Sequence, residues 1–494
     1  MKKIKNLVLL ITLLLSAMHL YANPGIRVYF AHNTFWAPND DPYLETYLQF
    51  DASSLRFVPV NINEYKATVE ILLVFNHNDQ IIEFRKYELN SPAVTDTLQT
   101  DFSFLDQQRF LLPAGSYQLD ITLNDINSDS QKLNHTEIID IEANDNFIFL
   151  SSIQLAERIE PAQEPGMLTK SGYNIYPYVD FFYPESLNAI LFYTEVYNVA
   201  KALGENEGFL ITSSVESFET RRVLSDYTRF KRENAKQVNV LLNTKDISSL
   251  PTGNYFLVVD VRNRNNEILA SNRVFFQRSN PGVRPNMAAF QNMDVHNTFA
   301  EHIVNRDSLS YFLKALAPIS SYTDREFVYN LANTGDIRKM QQYFYHFWLQ
   351  RDPLNPAEAW KNYYIELCRA DANFRTMVRR GYATDRGRIY LQYGPPNSIN
   401  KDYDDPAAYP YEIWHYYSIN GQSNKRFVFY SRDIATNDFN LIHSDMRGEI
   451  YNPRWKTVVV SRKEYWQVDY DEDQRRPWDR TWGSRIHDYY AEPR

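Results

Sequence analysis

A single cysteine, Cys368, in a chain of 494 residues is the most restrictive scarcity in this sequence. It excludes an internal disulfide and any cysteine-based zinc site, so burial alone must hold the fold together. Because no cysteine lies near the N-terminus, no lipoprotein anchor is expected there. Glycine is sparse, at 15 residues, which argues against low-complexity linkers. Positive charge is in deficit: 52 Lys and Arg stand against 61 Asp and Glu. That balance lacks the footprint of a nucleic-acid binder, and no basic juxtamembrane cluster suits anionic lipid. Beyond the first 22 residues no apolar run approaches transmembrane length. His-Glu-x-x-His, calcium-loop, Gly-x-Ser-x-Gly and phosphate-cradling glycine patterns are missing, so neither a metal nor a cofactor is expected.

The first 22 residues read as a secretory signal peptide. Lys2, Lys3 and Lys5 form a positive start and Leu7 to Ala17 an apolar stretch, with cleavage placed after Ala22. Its removal leaves 49 basic and 61 acidic side chains, net −12. The mature chain is expected outside the cytoplasm, in the periplasm or beyond.

Aromatic residues are plentiful, at 15% with 36 tyrosines, and supply ample core material for several domains. Residues 23 to about 280 are strand-like. Thr68 to Phe75, Tyr117 to Leu123 and Tyr255 to Val261 are short β-branched or aromatic runs between turn residues. An internal repeat runs through them. Leu112-Pro113-Ala114-Gly115-Ser116-Tyr117 returns as Leu250-Pro251-Thr252-Gly253-Asn254-Tyr255, and Phe35-Trp36-Ala37-Pro38 is echoed by Phe181-Phe182-Tyr183-Pro184. The repeat predicts two tandem immunoglobulin-like β-sandwiches, residues 23–148 and 149–282. Residues 194–203 have helical propensity but are assigned to a strand because the repeat places one there.

After Asn280-Pro281-Gly282 the pattern becomes helical. Thr323 with Glu326 suggests a capping box, and Asp336 caps a second helix whose Ile337, Met340, Tyr343, Phe344, Phe347 and Trp348 share one face. Asn355, Pro356 and Glu358 open a third helix, carrying Trp360, Tyr364, Leu367, Phe374 and Met377 and ending at Gly381. Cys368 falls near its apolar face and is expected as a buried thiol. Strands are expected at 388–393, 411–417, 426–431, 438–442 and 456–460. Residues 283–462 thus form an α+β domain, helices before an antiparallel sheet. A tail, 463–494, follows.

Within that domain, Gly381-Tyr382-Ala383-Thr384-Asp385-Arg386-Gly387-Arg388-Ile389-Tyr390 leads to Tyr393-Gly394-Pro395-Pro396 and Tyr411-Glu412-Ile413-Trp414. Upstream lies Phe347-Trp348-x-x-Arg351-Asp352-Pro353, and Gly448-Glu449 through Trp455 closes the series. These motifs resemble the GWxTD-domain family of bacterial envelope proteins over about residues 300–462. The resemblance implies an envelope location and brings no reaction with it. Tyr382 stands where the family's name-giving Trp is expected.

Several motif residues have chemical character. Asp385 or Glu449 as general base, His443 as acid and Arg388 as electrostatic stabiliser would suit a hydrolase. Against that, Thr384 and Asp385 can cap a turn, Arg388 can pair with a sheet carboxylate, and Pro395-Pro396 can simply end a strand. In the tail, Trp466, Trp478, Trp482, Tyr489 and Tyr490 are interleaved with charge, as at interface hot spots, or wrap over their own sheet. The reading favoured by the sequence is an exported, non-enzymatic interaction or scaffold protein of an envelope assembly, with unidentified envelope proteins as partners. The alternative is an envelope hydrolase or glycan-binding protein built on Asp385, Arg388, His443 and Glu449; a third reading is a glycan-binding sandwich module with Trp36 as its exposed aromatic.

Overall fold

The structure, a computed structural model, describes residues 25–460 except 37–41, 79, 129–131, 143–146, 284–289, 291–292, 406–407, 421, 433 and 453, and also residues 486 and 490. The expected signal peptide and Trp466, Trp478, Trp482 and Tyr489 lie outside the described residues. The chain divides into two compact units, Met1–Ala143 and Asn144–Arg494.

The first unit is all β. Its strands are β1 (Val28–Trp36), β2 (Pro42–Asp51), β3 (Val58–Asn61), β4 (Glu64–Lys66), β5 (Thr68–His77), β6 (Gln80–Asn90), β7 (Ser103–Leu111), β8 (Gly115–Asp125) and β9 (Leu133–Ile141). They form antiparallel sheets in the orders β1-β2-β7 and β6-β5-β8-β9, with a β3–β4 hairpin. Alternation explains the layering. Val69, Ile71, Leu73 and Phe75 of β5 and Leu119, Ile121 and Leu123 of β8 point inward, meeting Leu44, Leu48 and Phe50 of β2 in one core. Trp36 ends β1 half-buried.

The second unit opens with eleven more strands: β10 (Phe149–Leu150), β11 (Gln154–Pro161), β12 (Thr169–Lys170), β13 (Tyr173–Pro177), β14 (Phe182–Tyr183), β15 (Ala189–Tyr197), β16 (Gly208–Ser217), β17 (Val223–Asn234), β18 (Val238–Asp246), β19 (Gly253–Arg262) and β20 (Ile268–Arg278). One sheet is centred on β15, flanked by β11 and β18; the other runs β14-β20-β19-β16-β17. Its segment β17-β16-β19-β20 repeats the order β6-β5-β8-β9, so the internal repeat is one of topology as well as sequence. Both repeated tyrosines make the same bond: Tyr117 donates to the Pro113 carbonyl at 2.9 Å, and Tyr255 to the Pro251 carbonyl at 3.0 Å. A second repeat, Tyr-x-Glu-x-Tyr, escaped the sequence reading. Tyr47 donates to buried Glu45 on β2, as Tyr193 and Tyr197 donate to buried Glu195 on β15. The doubtful stretch 194–203 divides: β15 runs to Tyr197, and α1 (Val199–Leu203) follows.

The rest of the unit has helices α2 (Arg306–Lys314), α3 (Tyr322–Thr334), α4 (Ile337–Arg351), α5 (Pro356–Phe374) and α6 (Asp385–Tyr393). A sheet β21-β22-β23-β24 follows (Ser398–Asp402, Tyr411–Ile419, Gln422–Tyr430, Asn440–Ser444), then α7 (Trp455–Val460). Asp336 caps α4 as expected, accepting from the Lys339 amide at 2.9 Å. Met340, Tyr343, Phe344, Phe347 and Trp348 sink its predicted face into the core.

Several expectations fail for identifiable reasons. Residues 388–393 are helix, because Thr384 caps the segment and its apolar residues face α5 and the sheet together. The β-branched run 456–460 is helix as well, with Trp455 and Val459 stacked one turn apart on the sheet. Pro395-Pro396 therefore follows a helix rather than a strand. Ser321, not Thr323, caps α3, accepting from Asp324. Helix α5 stops at Phe374, seven residues before Gly381, and leaves Met377 exposed. Cys368 is exposed, one position beyond buried Leu367.

The β-rich and helical parts of this unit share a core. Along β19, Tyr255, Leu257, Val259 and Val261 face the inside of the strand layers, whereas Phe256 and Val258 face outward. With Phe218 and Phe275, these outward residues pack against Trp414, Tyr416, Phe427 and Phe429 of the later sheet.

The paired tyrosine bonds give a direct check. Tyr117→Phe and Tyr255→Phe should each cost about 0.5–1.5 kcal/mol. Denaturation followed by unit-specific proteolysis should show Tyr117→Phe destabilising the first unit alone and Tyr255→Phe the second alone.

Candidate functional site

The signature sits where α5, α6 and the last sheet meet. Between the helices, Gly381–Ala383 forms a single tight turn. Side-chain carbon is excluded at two points: a Cβ on Gly381 would lie 2.1 Å from the Ala370 carbonyl oxygen, and one on Gly387 would lie 1.8 Å from the Gly381 oxygen. Thr384 then starts α6. Its Oγ1 accepts from the Gly387 amide at 3.1 Å and donates to the Gly381 carbonyl at 2.8 Å, holding turn and helix as one piece. Tyr382 is buried edge-on to Tyr311, ring centroids 5.8 Å apart, with its amide toward Asp371. Burial pushes its phenol up to about 12.

The next residues fasten this piece to the sheet. Asp385 Oδ2 accepts from the Leu441 amide of β24 at 2.7 Å. Arg386 is buried and reaches Glu412 of β22 at 2.7 Å, with its second nitrogen on Asn437 and its plane 4.2 Å from the Phe439 ring centroid. Glu412 is fully engaged: it also accepts from Tyr403 at 2.6 Å and from the Trp414 indole at 2.9 Å. Arg388 makes a two-pronged pair with Glu449, both contacts 2.8 Å, and Tyr393 donates to the same carboxylate at 2.7 Å. Burial works against the Arg388 charge, but Glu449 outweighs it and holds the guanidinium above its usual pKa. Gly394 ends α6, its carbonyl accepting from Tyr416 at 2.8 Å, and Pro395 and Pro396 lead into β21.

Of the four residues considered for catalysis, Arg388 and Glu449 are in contact and Asp385 lies one helical turn from Arg388. His443 is not with them. It pairs across from Val428 on the opposite face of the sheet, beneath α7. There its ring stacks on Trp455 at 5.6 Å, Nδ1 accepts from the Asn452 amide at 3.1 Å, and Nε2 lies 3.1 Å from the Tyr490 hydroxyl. Burial, with Lys456 adding to it, pushes the imidazole down to about 4. Tyr490, expected among the interface aromatics, packs on its own domain, 5.0 Å from Trp455 and under Arg426. Ile486 is buried in the same cluster. Among the described residues, no group of three or more His, Cys, Asp and Glu side chains is placed to hold a metal ion. Nor is any helix there long and apolar enough to cross a membrane.

A domain of helices docked on an antiparallel sheet through one glycine-threonine-aspartate turn is thus the class that these contacts define. Residues 304–469 match the model of the GWxTD domain, so this part of the chain is a GWxTD domain. No curated protein matches it. Among solved structures, it is similar to a glycosyl hydrolase family 2 member from Bacteroides cellulosilyticus, with 6% identity, 47% of this chain and 28% of that one covered, and a TM-score of 0.18. A Bacteroides uniformis beta-glucuronidase gives 11%, 47%, 26% and 0.17. Fibronectin(III)-like modules of Clostridium thermocellum CbhA give 8%, 48%, 85% and 0.12. The chain spans about a quarter of the length of the two hydrolases, and at these TM-scores no activity passes from them to it.

Two measurements test the site's energetics. Breaking a buried ion pair from one side strands the other charge, so Arg386→Met should destabilise the second unit by about 3–5 kcal/mol. Adding Glu412→Gln should recover part of that loss in a double-mutant cycle read by urea unfolding. For His443, the folded chain holds the ring neutral while the unfolded chain takes a proton below its ordinary pKa of about 6.5. Stability present above pH 6.5 is therefore lost as pH falls toward 4, by up to about 3 kcal/mol. His443→Gln should flatten that slope in thermal unfolding between pH 7 and pH 4.

Proposed function

We propose that this chain is an exported, non-enzymatic interaction or scaffold protein of a bacterial envelope assembly, in which the GWxTD domain contacts a partner. In this reading the β-rich region comprises two tandem immunoglobulin-like sandwiches, with the second serving as a fixed buttress to the GWxTD domain. One observation carries it: the polar side chains of the signature are occupied inside the domain. Thr384 caps a helix, Asp385 holds a strand amide, Arg386 is spent on Glu412 and Arg388 on Glu449. A hydrolase would need His443 beside Asp385, Arg388 and Glu449, and the sheet stands between them. The domain also offers an apolar pair outward: Met377 and Val378, adjacent on the loop after α5, are each 90% exposed, and the loop is shaped by Thr376 accepting from the amides of Val378 and Arg379.

The test is site-specific photo-cross-linking in cells, with the probe at Met377 or Val378 and, as a control in the first unit, at Ile62. A discrete adduct formed from the GWxTD positions, in the envelope fraction, with an N-terminus processed near Ala22, is the expected result. Deleting residues 464–494, or placing alanine at Trp478 and Trp482, should weaken that adduct if the tail shares the contact. A cytoplasmic, unprocessed chain or adducts confined to Ile62 would overturn the proposal.

A further inference from the structure

A groove of about 540 Å³ lies between the end of α4 and the middle of α5. Its volume is in the range of small-molecule sites. The lining is aromatic and apolar at one side, from Trp348, Ala359, Tyr363 and Ile365, with the Trp348 and Tyr363 rings 5.4 Å apart. Tyr363 is anchored, donating to the Ala315 carbonyl at 2.6 Å. Trp348 is 1% exposed, and its indole N–H has no acceptor among the described residues.

The charges in the groove do not balance. Glu366 is already occupied, accepting from Arg369 and from the Tyr390 hydroxyl, each at 2.5 Å. Arg351 has no carboxylate partner among the described residues, although it lies on the groove wall. A cation at the last turn of α4 suits the helix dipole. That accounts for its sign, and leaves its fork of donors unused. Arg351 is exposed at the groove mouth, where its donors face water. A neighbouring Arg222 is turned aside onto Gln350.

We infer that this groove binds a carboxylate carried next to an apolar side chain, the chemistry of a peptide's C-terminal residue, with Arg351 gripping the carboxylate and Tyr363 and Ile365 receiving the side chain. A planar carboxylate matches the guanidinium fork with two parallel bonds. Glu366 beside it disfavours a doubly charged phosphate. The Asn362 amide, also on the wall, is placed to meet a backbone group. This goes beyond the assembly reading, since it concerns ligand capture by the isolated chain and is tested without any partner protein.

The test uses the full mature chain and two probes, N-acetyl-L-phenylalanine and its C-terminal amide, titrated by calorimetry at low salt. Saturable binding of the acid, at least tenfold tighter than of the amide, is expected. Arg351→Gln should abolish the preference, and Arg351→Lys should retain part of it, both with unchanged unfolding midpoints. An N-acetylated tetrapeptide ending in phenylalanine that binds tighter than the single residue would identify a peptide as the source; equal affinity would identify a free acid. Absence of saturable binding, equal affinity for acid and amide in the unsubstituted chain, or a preference that survives Arg351→Gln would overturn the inference.

Discussion

The buried pair of Arg386 and Glu412 is the contact on which the C-terminal architecture turns. Removing two charges from water is costly, and their attraction offsets that cost only with good geometry and further hydrogen bonds to the pair. Here Glu412 also takes the Tyr403 hydroxyl and the Trp414 indole, while Arg386 takes Asn437 and lies over Phe439. Such a set closes in one pose only. A helix shifted by one turn along the sheet would leave a carboxylate and a guanidinium stranded in an aromatic layer. The pair therefore acts chiefly on uniqueness, selecting one docking of α6, while Phe374, Ile389, Trp414 and Phe429 supply the burial.

The glycine contacts are the steric counterpart of that electrostatic choice. Gly381 and Gly387 let the turn and the start of α6 approach closer than any side chain would permit. Thr384 locks the same approach with two hydrogen bonds, and Asp385 extends it to β24. A motif of this kind looks catalytic on paper because it combines a hydroxyl, a carboxylate and two guanidinium groups. Each of these groups is paired inside the domain, and the ion pair of Arg388 with Glu449 repeats the pattern further along the helix.

Much of this was legible in the residues, and the failures are instructive. The short β-branched and aromatic runs Thr68 to Phe75 and Tyr117 to Leu123, bounded by turn residues, gave strands, as β5 and β8 are. The 3.6-residue rhythm from Ile337 to Trp348 gave α4 and its buried side. Residues 388–393 and 456–460 misled because Ile-x-Leu-x-Tyr and three successive valines favour strands locally, whereas capping by Thr384 and packing of Trp455 with Val459 prevailed. The site was half legible. Thr384 with Gly387 at cap spacing was readable, but no local pattern says that Arg386 meets Glu412 26 residues on, or that His443 turns to the opposite face. One signal was present and unused. Tyr255 to Val261 is almost continuously apolar where the equivalent Tyr117 to Leu123 alternates, which is how a strand covered on both faces reads.

That continuous strand has a consequence for how the chain is made. Phe256 and Val258 emerge well before Phe427 and Phe429, which cover them. At about 5–20 residues per second of synthesis, the interval is roughly 10–30 s. During it the β-rich half of the second unit exists with an aromatic face bare to water, next to sheet edges not yet sheltered. In the first unit the equivalent strand β8 turns Ser116, Gln118, Asp120 and Thr122 outward, so it needs no later cover. Until the last sheet has been delivered, that aromatic face is the part of the chain most open to self-association.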